Sequence, residues 1–259
     1  MFKKWTPQLN LRYNSDCSSK FLDAYENGII QELKKERLRP HKKSFAPSQF
    51  RCPRISWFRL RGVSPDMPPD PDIGLNFTAE VGTALHLIIQ NHLINNESIE
   101  WVDVKSYIES KEYPYSFNIK SNGVEWMIEI ENPPVTFACD GIVRWGDTYY
   151  LLEIKSCEHT TWEKLTGPKD EHVDQIHLYS SLLDIQNVMM MYIDRQYGGM
   201  KCFDLKIPSY VKDSIFRSID DILDKVESHI APDGLPSGDK WCQPSYCSYY
   251  KKCKEYGRW

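Results

Sequence analysis

No apolar run in this chain approaches the length needed to cross a bilayer, the stretch from Val188 to Ile193 being among the longest. The opening Met1-Phe-Lys-Lys-Trp-Thr-Pro lacks the apolar core of a signal peptide. These absences lead to the expectation of a soluble, intracellular, cytoplasmic protein (host cytoplasm if the chain is viral). A reducing compartment argues against a disulfide framework for the eight cysteines, and for metal ligation or burial instead. Internal repeats and low-complexity tracts are missing too. So is any overall positive charge: the net charge is −4, which by itself gives no sign of a nucleic-acid partner.

What is present is a globular composition. The 259 residues are 41% hydrophobic and 26% charged, enough for one large domain or a core with an attached lobe. Charge is unevenly distributed. Lys34, Lys35, Arg37, Arg39, Lys42, Lys43, Arg51, Arg54, Arg59 and Arg61 face a single acid, Glu36, in the same stretch. A second basic run, Lys251, Lys252, Lys254 and Arg258, is interleaved with Tyr249, Tyr250, Tyr256 and Trp259. Basic residues among aromatics can neutralise phosphates and stack bases, while a solvated charged face explains them equally well.

Periodicity outlines the elements. Residues 1 to about 20 read as irregular, and Leu22 to Arg39 as a charged helix stopped by Pro40. The proline-rich stretch Pro65 to Pro71 is a loop. Thr78 to Asn95 reads as a buried helix, on which Leu85, His86, Ile89 and Leu93 share an arc of about 100° with Gly82. Strands are predicted at Val124–Glu131, Val135–Arg144 and Thr148–Ser156, the last two joined by a Gly146-Asp147 turn. Glu171–Gln186 reads as a helix, Val188–Asp194 and Lys201–Ile207 as strands. Tyr210–Ile230 reads as an amphipathic helix through Val211, Ile215, Ile219, Ile222 and Val226. From Pro232 the chain is rich in proline, glycine, cysteine and aromatics, a lobe in need of a staple. The order of elements suggests a mixed α/β core.

The chemistry concentrates between Asp140 and Lys155. Strand side chains alternate, so Glu153 and Lys155 leave the same face. If the hairpin folds symmetrically about Gly146-Asp147, Asp140 falls opposite Glu153, where Cβ atoms sit roughly 5 Å apart. Two carboxylates that close repel unless a cation joins them. Hard oxygen ligands suit Mg²⁺ or Mn²⁺, and such an ion can activate water against a phosphate. Lys155 completes an acid–acid–lysine cluster; an exposed charge cluster on a half-solvated sheet is the bland reading. His86 faces the core or a cleft, with Gly82 one turn earlier allowing close packing. Gln175 and Tyr179, one turn apart, share a helix face and can support a phosphate or water network. Glu80 is a further acid for a second metal.

Gly82-x-x-x-His86, Asp140, Glu153-Ile154-Lys155 and Gln175-x-x-x-Tyr179, in that order, resemble the motif set of RecB-like exonucleases in the PD-(D/E)XK superfamily. The proline of the superfamily name is absent, Cys139 preceding Asp140. The resemblance, over residues 47 to 259, implies a restriction-endonuclease-like mixed α+β fold, a central mixed sheet flanked by helices. It implies metal binding by His86, Asp140, Glu153 and the Ile154 carbonyl, with Lys155 catalytic and Gln175 and Tyr179 supporting the site and the DNA. Cys52 before these motifs and Cys242, Cys247 and Cys253 after them resemble the iron–sulfur subset, the AddB nuclease domain and the CRISPR spacer-acquisition nucleases. There the first gap of the trailing three is two residues rather than the four found here. The subset implies a 4Fe-4S cluster on the four thiolates, with Zn²⁺ the alternative, and 5′→3′ action on single strands. It also implies a role in DNA recombination or repair, with a recombination or helicase partner. The expected organisation is an unassigned basic segment over 1–46, a nuclease core over 47–230, and a cysteine lobe over 231–259 packing with the Cys52 region. The remaining readings are a structure-selective endonuclease and a non-catalytic DNA-binding partner.

Overall fold

Alternating apolar positions, broken at proline and glycine, divide the chain into eight helices and eight strands among the described residues. The computed structural model describes residues 15–37, 42–66, 71–121 and 126–256. The helices are α1 (Ser15–Arg37), α2 (Pro53–Leu60), α3 (Ile73–Ile94), α4 (Val104–Glu109), α5 (His159–Lys164), α6 (Asp170–Leu183), α7 (Ser209–Glu227) and α8 (Tyr250–Glu255). The strands are β1 (Glu100–Val102), β2 (Phe117–Ser121), β3 (Trp126–Ile130), β4 (Val135–Cys139), β5 (Gly141–Trp145), β6 (Thr148–Cys157), β7 (Asn187–Asp194) and β8 (Met200–Lys206). Two compact units result: Met1–Arg39 with Pro69–Phe77, and Pro40–Pro68 with Thr78–Trp259. In the first, α1 is a charged helix with Phe21, Leu22 and Tyr25 exposed. Every candidate site residue lies in the second.

The second unit holds a five-stranded sheet in the order β1-β5-β6-β7-β8 and a three-stranded antiparallel sheet β2-β3-β4. In the larger sheet only β6 and β7 run parallel, their crossover carrying α5 and α6; a parallel pair needs such a connection. Strand β6 is central, and Leu151, Leu152, Glu153 and Ile154 are all buried, as expected of a strand covered on both faces. On one face Leu152 and Ile154 pack with Ile193, Val143 and Ile89 of α3. On the other, Leu151, Met190 and Tyr192 pack with Ile176 and Tyr179 of α6. Truncating a residue such as Ile154 or Ile176 to alanine would cost about 2–5 kcal/mol through lost contacts and the cavity left behind. The amphipathic α7 buries Ile219 and Ile222, and its Lys225 carbonyl accepts from Trp57 Nε1 of α2 at 3.0 Å.

The mixed α+β class, with a central mixed sheet flanked by helices, is the one expected; several boundaries differ. The stretch expected to be irregular up to about residue 20 is already helical from Ser15, while residues 1–14 lie outside the described part, as do 38–39 of the expected first helix, 67–70 of the expected loop, and 124–125 of the expected strand. The helix expected at 78–95 starts at Ile73 and is buried only along one side, with Val81 and Ile88 exposed. The helix expected to reach Gln186 ends at Leu183 because Asp184 turns left-handed (φ 53°), a conformation aspartate tolerates as a helix C-terminal cap. The largest correction is the strand expected over 135–144. It is two strands in two sheets, parted at Asp140. At Gly141 the ring of Trp101 stands so close that a Cβ would lie 2.4 Å from it, so only glycine lets β1 and β5 meet there.

Candidate active site

The hairpin of β5 and β6 pairs Gly141 with Leu152 and continues in step to Trp145 with Thr148, the symmetric register expected from the turn. Asp140 lies one residue beyond the last pair, on the side of Glu153. Because the chain passes from one sheet to the other there, its carboxylate reaches partners on both sides. Oδ2 accepts the Ile154 N–H at 2.7 Å, and Oδ1 lies 3.2 Å from His86 Nδ1 of α3. The Asp140 carbonyl accepts from Gln90 Nε2 at 2.7 Å, one turn further along α3. At Gly82 α3 comes close to β6, where a Cβ would stand 3.3 Å from Ser156 Oγ and the hydroxyl would have to shift.

Glu153 and Lys155 leave β6 on the face covered by α6, 2.5 Å apart as an ion pair. Lys155 Nζ also donates to Gln175 Oε1 at 3.2 Å, and Gln175 Nε2 donates to the Tyr179 hydroxyl at 2.5 Å. Asp140 is 6% exposed and Glu153 3%. Burial, and then the charge of Asp140, hold the Glu153 carboxyl well above the usual carboxylate range, with Lys155 opposing. Burial alone would lower His86, but the hydrogen bond and charge of Asp140 outweigh it and leave its pKa raised. His86, Asp140, Glu153, Lys155, Gln175 and Tyr179 are thus brought together, whereas Glu80 is exposed on α3.

An imidazole nitrogen and two buried carboxylates that repel one another are a donor set a hard divalent cation fits, with the Ile154 carbonyl on the same strand. In the described geometry His86 is engaged by Asp140 and Glu153 by Lys155. Among the described residues no group of three or more such side chains already stands at metal-ligand spacing.

The four cysteines meet elsewhere. Cys52 caps α2, Cys253 lies in α8, and both line, with Cys242 and Cys247, one cavity of about 130 Å³. Cys52, Cys242 and Cys253 are buried. Burial raises the Cys242 thiol, with Cys253 and Cys52 adding to it. Burial likewise pushes Cys247 up to about 11. The fully buried Arg54 donates through Nη1 to Cys253 Sγ at 3.4 Å and through Nε to the Pro232 carbonyl at 2.8 Å. The four thiols line one cavity with a guanidinium beside them, but among the described residues no three of them already stand at metal-ligand spacing.

No protein-family model and no curated protein sequence matches the chain. Among solved structures, that of SSO0001 is similar with a TM-score of 0.50 at 15% identity, over 91% of this chain and 98% of that one. At such identity the likeness concerns the fold alone. An alkaline exonuclease (LHK-Exo) from Laribacter hongkongensis overlaps with a TM-score of 0.43 at 14% identity, over 75% of this chain and 93% of that one. The same enzyme in complex with dAMP gives 0.43 at 15% identity, over 73% and 90%. At a TM-score of 0.43 the overlap carries no functional weight. No helix among the described residues is long and apolar enough to cross a membrane.

Much of the basic stretch expected as a DNA path is used inside the fold. Arg59 Nε donates to the Ser44 carbonyl, Arg61 lies 4.8 Å from the Trp57 ring centroid, Arg51 pairs with Asp174, and Lys42 pairs with Glu129. In the second run Lys252 bonds the carbonyls of Ser64 and Pro65. Spacing in sequence did not distinguish such internal duties from a free basic face. Sequence reasoning also missed Gln90, one turn from His86, and His172, one turn before Gln175 on the α6 face that covers Lys155. Their helical offsets from residues already singled out were the available signal.

Proposed function

We propose that this chain is a Mg²⁺- or Mn²⁺-dependent deoxyribonuclease of RecB-like type, an exonuclease acting 5′→3′ on single-stranded DNA. The observation that carries the reading is two buried carboxylates, Asp140 and Glu153, held at one strand break with His86 on one side and Lys155 on the other. The motif order in the sequence supports the same conclusion. His86, Asp140, Glu153 and the Ile154 carbonyl would hold the ion. When bound, a divalent ion supplies charge for the phosphate oxygens and makes water more acidic. Burial makes two adjacent carboxylates costly, and His86 and Lys155 offset that cost at the place where an added cation would be welcome.

The protein's own groups do the rest. Lys155, oriented by Gln175 Oε1 and in turn by Tyr179, places an ammonium beside the scissile phosphate and offsets its growing negative charge. Water forms the new bond to phosphorus as the bond to the 3′ oxygen breaks. The strand released by this attack carries a 5′-phosphate, the departing 3′ oxygen takes up a proton from solvent to become a hydroxyl, and the proton lost by water passes to solvent. Cys52, Cys242, Cys247 and Cys253 would hold a 4Fe-4S cluster, with Zn²⁺ the alternative, tying the region before the core to the lobe after it. Such an activity suits DNA recombination or repair beside a helicase or recombination partner.

The test is hydrolysis of end-labelled single strands, linear and circular, with Mg²⁺ or Mn²⁺. Wild type should degrade the linear strand and spare the circle, and Lys155→Ala should lose on the order of 10³-fold in rate with its fold intact. Equal rates for wild type and Lys155→Ala would refute the site, and cleavage of the circle would replace the exonuclease with an endonuclease. A brown protein with broad visible absorption identifies iron–sulfur, whereas colourless protein with stoichiometric zinc identifies the alternative.

A further inference from the structure

His172 sits in the first turn of α6, three residues before Gln175 and seven before Tyr179, on the stripe that covers Glu153 and Lys155. Its Nδ1 lies 2.7 Å from the hydroxyl of Tyr192. Tyr192 is paired directly with Lys155 between the parallel strands β6 and β7, so both side chains rise from the same face of the sheet. The Tyr192 side chain is fully buried, and its oxygen also accepts the backbone N–H of Lys169 at 3.0 Å. Burial pushes the Tyr192 hydroxyl up to about 12, so it keeps its proton.

These facts favour one tautomer. The Tyr192 hydroxyl is fully buried, so its own proton needs an acceptor within the protein. Its own proton therefore goes to His172 Nδ1, the acceptor at hand. That leaves the imidazole proton on Nε2, which makes no hydrogen bond among the described residues. Burial, and then the ammonium of Lys155, keep His172 neutral, with its pKa lowered to about 4. A neutral ring with one N–H does not repel Lys155, whose charge reaches His172 from the strand that α6 covers. A cation and a free donor placed together form a receptor for an anionic oxygen.

We propose that His172 is a substrate-binding residue, its Nε2–H donating to a phosphate oxygen of the DNA strand next to the one attacked, with Tyr192 as the positioning residue that fixes the donating tautomer. This rests on the nuclease reading above. A neutral donor strengthens binding without competing for the ion between the carboxylates.

The experiment compares wild type, His172→Leu, His172→Gln, Tyr192→Phe and Lys155→Ala on end-labelled oligothymidylate with Mn²⁺, with the melting temperature of each variant measured alongside. Leucine removes the donor, and KM should rise roughly tenfold with kcat nearly unchanged. Glutamine carries an N–H near the Nε2 position and should restore most of the loss. Tyr192→Phe frees the tautomer and should raise KM by an intermediate factor. An active wild type, an inactive Lys155→Ala and a wild-type KM for His172→Leu would overturn the role of His172 alone. So would a glutamine variant as impaired as the leucine one at equal melting temperature. Should the leucine variant fail to fold, the glutamine and phenylalanine variants decide: Tyr192→Phe at wild-type KM ends the proposal. A wild type no more active than Lys155→Ala ends the nuclease reading and this one together.

Discussion

The acid–lysine centre and the cysteine cavity both gather potential metal-binding side chains, but by opposite means. Glu153, Ile154 and Lys155 come from one strand, placed by its alternation, and Asp140 adjoins them one residue past the end of the hairpin pairing. Cys52 and Cys253 lie about 200 residues apart, with Arg54 Nη1 bonded to Cys253 across a separation of 199. Only the finished fold brings them to one cavity. Local geometry makes the first site precise and tolerant of change elsewhere. Distant closure makes the second one sensitive to anything that loosens the domain, and makes the domain sensitive to it.

The sharpest way to break this contrast is Cys253→Ser in the metal-loaded protein. On the proposed thiolate-bound metal, losing one of four ligands should release the group and lower the melting temperature by about 10 °C, since a bound metal's free energy is also folding free energy. Asp140→Asn should leave the melting temperature nearly unchanged. Thermal unfolding of both, beside metal analysis, checks this; equal shifts would erase the distinction.

A smaller effect is expected from pH. His172 has a folded pKa of about 4, below its ordinary value of 6.5. Above 6.5 it is neutral in both folded and unfolded chains and contributes nothing. As pH falls below 6.5 the unfolded chain binds a proton that the folded one refuses, so stability drops progressively and the full cost is reached below about 4. The loss is at most about 3 kcal/mol. Urea unfolding at pH 7 and pH 5 should show a steeper acid loss for wild type than for His172→Gln. Parallel behaviour of the two would mean that the ring is not kept neutral at the site.

The smallest expected effect comes from Gln90→Met. It removes the donor to the Asp140 carbonyl and should cost about 1 kcal/mol. Denaturant midpoints measure it, and no loss would show that Gln90 does not hold the strand break.

How much was legible beforehand follows the same division. The hairpin register, the shared face of Glu153 and Lys155, and the meeting of Gln175 with Tyr179 could all be read from turn residues and periodicity. The strand break at Asp140 could not. An apolar run from Val135 to Arg144 looks continuous, and the clue is Gly141, whose need to be glycine lies in Trp101, some 40 residues earlier. Within the basic stretch, the carbonyl and thiol partners of Arg54 and Arg59 were equally out of reach of the sequence. His172 was overlooked because its partner, Tyr192, lies on a separate element, strand β7.

The sequence by itself determined the periodic elements, the mixed α+β class and the side-by-side placement of the acids and the lysine. These follow from backbone geometry repeating every two or 3.6 residues. The tertiary structure alone decided that Asp140 stands where two sheets part, that a histidine from α3 reaches its carboxylate, and that four distant cysteines share a cavity. Those depend on which surfaces bury against which, and burial is a property of the whole packed chain rather than of any local stretch.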